Sequence, residues 1–165
     1  MTKKMIEEKF ARAYDGKVRL DLGCGKSITA GYDGVDKHPT EGVKYQVDFE
    51  KEALPFEDNS VDEIICRHLI EHVEDLFGLM AEIHRVLKPK GKLNIVVPHY
   101  KSRHAFQDPT HIRFFTEKTF RYWDGKYIQQ YADYAPKGVF STEELFVHGE
   151  DWEHLWIFAV LVAEK

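Results

Sequence analysis

The chain has 165 residues and a formal net charge of −5, with 43% hydrophobic and 31% charged residues. That length suits one domain, residues 1–165, around a single substantial core. The acidic balance argues against a general nucleic-acid binder, and no apolar run is long enough to span a bilayer. The Lys/Glu-rich start lacks the apolar stretch of a signal peptide, which points to the cytoplasm. Cys24 and Cys66 are too few and too isolated for a disulfide framework or a zinc site.

Met5 to Tyr14 reads as a short amphipathic helix. Val18 to Leu22 is a compact apolar strand, and Gly34 to Asp36 closes a second. Val43, Tyr45 and Val47 alternate with polar residues, the pattern of a third strand at a sheet edge. "PFEDNS" leads by a turn into a fourth strand, Val61 to Cys66. Leu69, Val73, Leu76, Met80, Ile83 and Leu87 recur at spacings of three and four, which predicts a helix with one apolar face. Pro89 and Gly91 end that helix and turn the chain into a fifth strand, "KLNIVVP". Helices between strands imply a mostly parallel sheet with right-handed crossovers. The tail, "TEELFVHGEDWEHLWIFAVLVAEK", reads as two strands joined by a short "GED"-type connection, an antiparallel hairpin.

The turn "GCG" after the first strand lets a ligand approach the backbone closely, beyond the carboxyl ends of the strands. Asp36, at the end of the second strand, faces the same crevice and suits ribose hydroxyls. A nicotinamide dinucleotide is disfavoured, because Lys26 to Gly31 supplies neither a third glycine nor a long helix for a pyrophosphate. The connection between the first two strands has room for one or two helical turns only.

At this point the sequence resembles the class I S-adenosylmethionine-dependent methyltransferases, and within them small methyltransferase type 11-like proteins. "VRLDLGCG" is similar to their first motif and "GVD" to their second-strand acid. "VDFEKEALPFEDNSVDEIICRHLIEHVED" and "EIHRVLKPKGKLNIVVP" are similar to the runs that follow. "KPKG" departs from the family's Pro-Gly-Gly. The resemblance implies a Rossmann-like α/β fold with a seven-stranded, mostly parallel sheet, a C-terminal antiparallel hairpin and a short first crossover helix. It implies S-adenosyl-L-methionine as cofactor, with Asp21 orienting its methionine end. Gly23, Cys24 and Gly25 would approach it closely, Asp36 with Lys37 would bind the ribose, and Asp48 with Phe49 would hold the adenine. Cys66, Arg67 and His68 would line the sulfonium end.

"PHYKSRHAFQDPTHIRFFTEKTFRYW" follows the fifth strand, at the edge where open sheets bind ligands. Of the 22 aromatic residues, 15 lie from Tyr100 onward, so the acceptor side belongs to this half. Candidate acceptor contacts are Tyr100, His104, Asp108, His111 and Phe114, with Lys101 and Arg103 as a basic rim for an acidic substrate. Three readings of His99, His104, Asp108 and His111 stay open. One histidine is a general base for the attacking hydroxyl or amine, with His111, His99 and His68 as candidates. Alternatively, His and Asp hold a divalent metal, although their spacing follows no regular metal motif and no metal is assigned. Or they cap turns under a loop. Glu71-His72 reads as a helix start.

The sequence therefore points to methyl transfer from S-adenosylmethionine to an oxygen or nitrogen of a small-molecule or glycan-like acceptor. The alternatives are a silent cofactor-binding or interaction module of the same fold, and a nucleic-acid methyltransferase. Against the last, "CRHLIEH" stands where an Asn/Asp-Pro-Pro-Tyr-type motif would be. No membrane role is expected.

Overall fold

Four consecutive buried residues, Arg19–Leu22, make β1, the strand from which the sheet grows in both directions. The computed structural model describes residues 9–13, 15–128 and 137–165. In one direction β1 pairs with β2 (Asp33–Asp36) and β2 with β3 (Val43–Gln46); in the other it pairs with β4 (Val61–Arg67) and β4 with β5 (Leu87–Pro98), all parallel. β7 (Trp156–Glu164) adds antiparallel to β5, and β6 (Val139–His148) lies outermost against β7. The result is one seven-stranded sheet in the order β3-β2-β1-β4-β5-β7-β6. β3, exposed and partly buried by turns, is indeed an edge strand.

Period-two alternation divides the central strands between two cores. Ile64, Cys66, Leu93 and Ile95 join the larger cluster, beneath α1 (Leu76–Val86), together with Phe115, Phe120 and Trp123. Ile65 and Val96 face the other way and pack with Phe10, Tyr32 and Phe158. α1 is capped by Asp75, whose carboxylate accepts from Gly78 N at 2.8 Å, and ends with His84 and Arg85 against the partial negative charge of its last carbonyls.

At the amino ends of the central strands a charged network replaces hydrocarbon. Arg19 donates to Asp15 at 2.8 Å and to Glu63 at 3.2 Å, and Glu63 also accepts from Arg12 at 3.1 Å and from Asn94 at 2.9 Å. The network ties β1, β4 and β5 together. Burial works to raise the Glu63 pKa, but neighbours that include the Asn94 amide and the Arg12 guanidinium outweigh it and hold the carboxylate low. The Arg19 hydrogen bond lowers Asp15 to about 2.

The structure corrects four local expectations. No helix forms between β1 and β2: Gly23, Gly25 and Gly31 stand at φ +67°, +53° and +84°, outside helical backbone, and the connection is made of turns. The apolar periodicity starting at Leu69 does not begin a helix; residues 68–75 are irregular and α1 starts at Leu76. "KPKG" is no separate turn but a bulge within β5, whose register with β4 jumps between Val61↔Leu87 and Glu63↔Lys92. The hairpin connection is longer than "GED", running from Gly149 through a 3₁₀ turn at Trp152–His154. Half of the helix expected over Met5 to Tyr14 lies outside the described residues, and of residues 9–13 only 9 and 10 are helical.

Candidate functional site

A cleft of about 370 Å³ crosses the carboxyl ends of four neighbouring strands. It is lined after β1 by Gly23, after β2 by Asp36, Lys37 and His38, and after β3 by Asp48, Phe49 and Glu50. The wall beyond β4 is His68, Leu69, His72 and Val73, with Thr110 opposite. The strand order reverses between β1 and β4, so the cleft lies over the topological switch point where open α/β sheets bind ligands.

The acidic side is built from backbone. Asp36 accepts from Gly25 N and His38 N, each at 2.9 Å, one per carboxylate oxygen, which fixes the group at the cleft wall. A carboxylate has about four lone-pair sites, so acceptor capacity remains. Gly23 combines φ +67° with Leu69 Cδ1 only 2.8 Å from where a Cβ would sit, so no larger residue fits there. A Cβ on Gly25 would meet nothing within 4 Å, leaving open space beside the turn. Asp48 accepts from Lys51 at 2.8 Å, a contact that lowers its pKa, and Phe49 packs partly against the larger core.

Beneath these, Asp21 is fully buried and its Oδ2 accepts from Thr29 N and Oγ1 at 2.7 Å and from Arg67 Nη2 at 2.8 Å. Two polar atoms of this pair, Asp21 Oδ1 and Arg67 Nε, are buried and have no partner among the described residues. Cys24 and Cys66 are buried free thiols. Burial and then the Asp21 and Asp36 charges push Cys24 up to about 11; burial, Asp21 and Glu71 push Cys66 up as well.

The wall beyond β4 carries the histidines. His68 stands at φ +54°, a conformation that non-glycine residues seldom hold and that gathers at functional sites. Its Nδ1 lies 3.3 Å from Glu71 Oε1, and its ring meets the Trp156 edge with centroids 4.8 Å apart. Glu71 is 1% exposed, in an irregular segment that is tied down from across the cleft. Ile112 N donates to Glu71 O at 3.0 Å, Arg113 Nε to Val73 O at 2.9 Å, and Glu74 N to the Glu50 carboxylate at 2.7 Å. Those bonds bring His111 to the same place: its ring meets that of His72 at 4.7 Å, and its Nε2 is 4.0 Å from Glu71 Oε1.

The cluster read from the sequence is thus divided in space. His99 is 6% exposed, accepts from Lys101 N at 3.3 Å through Nδ1 and faces Glu117 at 3.4 Å through Nε2. His104 stacks on Trp156 at 4.9 Å, and burial, followed by the neighbouring His154, Arg103 and His68, lowers its pKa. Asp108 caps its own turn, accepting from Thr110 N at 2.9 Å and Thr110 Oγ1 at 2.7 Å. Only His111 of this set joins the wall beyond β4. Of the cofactor candidates, Gly23, Asp36, Lys37, Asp48, Phe49 and His68 line the cleft; Asp21, Cys24, Gly25, Cys66 and Arg67 do not. Phe114 lines a second, apolar cavity of about 340 Å³ with Phe77, Ile112, Tyr122 and Trp123, whereas Tyr100 packs on His99 at 4.7 Å. Sequence reasoning missed His38, and it read Glu71 and His72 as a helix start. No periodic signal marks them, because they act from an irregular loop.

Residues 34–95 match a family model described as a methyltransferase domain, Methyltransf_11. The uncharacterized methyltransferase YcgJ of Bacillus subtilis is 33% identical over 84 residues, 44% of this chain and 32% of YcgJ. Its crystal structure matches with a TM-score of 0.62 at 20% identity, over 98% of this chain and 97% of that one. A chain of the complex between the Haloferax volcanii Trm112 methyltransferase activator and its partner methyltransferase gives 0.67 at 17% identity, over 98% of this chain and 89% of that one. A SAM-dependent methyltransferase from Aquifex aeolicus gives 0.62 at 15%, over 97% and 88%. These structural likenesses establish the fold. By sequence the chain spans about a third of the length of two curated relatives it matches, YcgJ at 32% and YafE of Escherichia coli at 35%.

Proposed function

We infer that this chain, which has the class I methyltransferase fold and a methyltransferase domain of the Methyltransf_11 family, binds S-adenosylmethionine and methylates an oxygen or nitrogen of a small-molecule or glycan-like acceptor. The observation that carries the reading is the cleft across β3, β2, β1 and β4, with Asp36 fixed in its wall and Gly23 at its floor. Its volume of about 370 Å³ falls within the ordinary range for small-ligand sites, roughly 300–1,000 Å³.

The residues fit this cofactor. Asp21 Oδ1 is a buried acceptor without a donor and Arg67 Nε a buried donor without an acceptor. The methionine end offers an ammonium and a carboxylate, the complement of both. Buried polar atoms are seldom left unmatched, so an unmatched pair of opposite kinds favours an amino-acid moiety. Asp36 would hold the ribose, and Asp48 with Phe49 the adenine. When bound, the cofactor supplies an electrophilic methyl group on a sulfonium.

The chain's own contribution to the acceptor is a histidine with one nitrogen committed. Glu71, buried and acceptor-only when ionised, would accept a hydrogen bond from His68 Nδ1–H and leave Nε2 as a lone-pair base. Alignment in the cleft supplies most of the acceleration and His68 the smaller part.

The test is calorimetry with S-adenosylhomocysteine and NADH, followed by methyl transfer from labelled cofactor to hydroxyl and amine acceptors. Binding of the first and none of the second is expected; no binding of S-adenosylhomocysteine refutes the reading. With an acceptor in hand, His68→Gln should lower turnover by about 10²-fold or more and leave cofactor affinity unchanged.

A further inference from the structure

The wall beyond β4 holds more acceptors than its hydrogens can serve. His72 Nδ1 lies 2.9 Å from Thr110 Oγ1 and 3.3 Å from Thr110 O. The hydroxyl hydrogen of Thr110 is already given to Asp108 Oδ1 at 2.7 Å, and the carbonyl can only accept. His72 Nδ1 must therefore carry a hydrogen, and the neutral ring has its lone pair on Nε2. His111 Nδ1 lies 3.1 Å from Ala105 O, another acceptor-only group, so its lone pair is on Nε2 too. That Nε2 stands 4.0 Å from Glu71 Oε1. Glu71 Oε1 lies 3.3 Å from His68 Nδ1, while its Oε2 is buried with no partner among the described residues.

A carboxylate and two imidazoles thus converge, with one ligand atom of each lying within 4.8 Å of the others. Groups of this kind repel unless a cation joins them. Bonds of about 2.0–2.2 Å to one ion put ligand atoms up to roughly 4.2 Å apart, so a small side-chain adjustment closes the set. The outer partners follow the habit of metal-binding histidines, each donating its remaining ring N–H to a fixed oxygen. Asp108 orients Thr110, Thr110 orients His72, and His111 stands in the same cluster, so the Asp108-Pro109-Thr110-His111 run contributes to it at three positions.

We propose that Glu71, His72 and His111 form a binding site for a divalent first-row transition-metal ion of the two-histidine, one-carboxylate type. Nitrogen ligands select such ions over magnesium or calcium, which prefer oxygen. Three protein ligands leave coordination positions free, and His72 lines the cleft. On the function proposed above, those positions would hold an acceptor oxygen; the binding itself does not depend on that function.

The test uses untagged full-length protein stripped with a chelator and titrated with Co²⁺, read by visible absorption, with Zn²⁺ as competitor and Mg²⁺ as comparison. One Co²⁺ per chain, displaced by Zn²⁺ and not by Mg²⁺, is expected. Glu71→Gln and His111→Gln should each abolish the visible band. Exposed Thr110→Val, which removes only the group orienting His72, should weaken binding by roughly 10–100-fold. His154→Gln should bind as the parent does. If Glu71→Gln fails to fold, His72→Gln, on a half-exposed residue, must give the same loss. No stoichiometric Co²⁺ binding, or binding that survives His72→Gln and His111→Gln, overturns the proposal. S-adenosylhomocysteine affinity of the stripped protein is measured alongside: if it is retained while Co²⁺ fails to bind, only the metal site falls.

Discussion

Asp36→Ala separates a ligand role from a folding role at the same carboxylate. The side chain is 7% exposed and accepts from Gly25 N and His38 N at 2.9 Å each. Hydrogen bonds to charged groups contribute about 1.5–3 kcal/mol apiece, and water entering the open cleft recovers part of that. A stability loss of about 2–3 kcal/mol is therefore expected from the two released N–H groups. For the cofactor, removing a charged acceptor from its ribose hydroxyls costs about 1–3 kcal/mol, or roughly 5- to 150-fold in Kd. Urea unfolding measures the first effect and calorimetry with S-adenosylhomocysteine the second, on variant confirmed as folded. Asp48→Ala serves as comparison, because its partner Lys51 is 76% exposed and its carboxylate accepts from one backbone group only, Glu50 N at 3.2 Å. It should weaken binding while lowering the unfolding midpoint by less than Asp36→Ala does. A folded Asp36→Ala protein with unchanged Kd refutes the placement of the ribose at β2.

The thiols should resist labelling at pH 8, since Cys24 at about 11 is almost wholly protonated and Cys66 is buried; rates equal to those of unfolded protein would contradict this. Glu63→Ala should cost about 1–3 kcal/mol by urea unfolding, because it leaves the buried Arg19 with Asp15 alone and removes the acceptor shared with Arg12 and Asn94; a loss well below 1 kcal/mol, about the value of a surface pair, would show that the network is dispensable. Glu63 and Asp15 titrate lower in the folded chain than in the unfolded one, so their contribution is complete above the unfolded carboxylate values near pH 4. Stability should fall as pH drops from about 4 through the folded values, which reach about 2 for Asp15, and a flat profile there would refute the coupling.

Strand positions were legible because burial on a pleated strand leaves a direct trace. "VRLDL", "VDEIIC" and "LNIVVP" are short apolar runs bounded by turn residues, and each became a strand within one or two residues at its start or end, apart from the bulged start of β5. The crossovers were less legible. Three glycines with positive φ between β1 and β2 carry backbone that a helix cannot use, and a spacing argument treats them as neutral. Likewise Leu69 and Val73 sit at helical spacing from Leu76 yet belong to an irregular segment. Their apolar side chains pack inward while Asp75, as the cap, sets where α1 can begin.

Proximity in sequence was a poor guide to the histidines, and the reason lies in the backbone of the loop after β5. His99 N donates to Leu155 O and Tyr100 N to Phe115 O, so the loop's first residues are held to the sheet's edge and to the aromatic layer. The short helix His104–Gln107 then turns His104 toward Trp156. Only past the Asp108 turn does Ile112 N reach Glu71 O, and that single backbone bond brings His111 against a loop some forty residues earlier. A polar cluster counted along the chain is split because successive loop residues face different neighbours. A true cluster instead forms where two loops cross, between "EH" after β4 and "DPTH" after β5. The grouping of Glu71, His72 and His111 thus depends on a contact between two loops that neither motif encodes alone. A substitution that breaks it, such as Arg113→Ala with its bonds to Val73 O and Glu74 O, should loosen Glu71, His72 and His111 together without touching any of them. Measured by hydrogen exchange, protection should fall in both loops at once; a loss confined to residues 108–113 would mean that the loops are positioned independently.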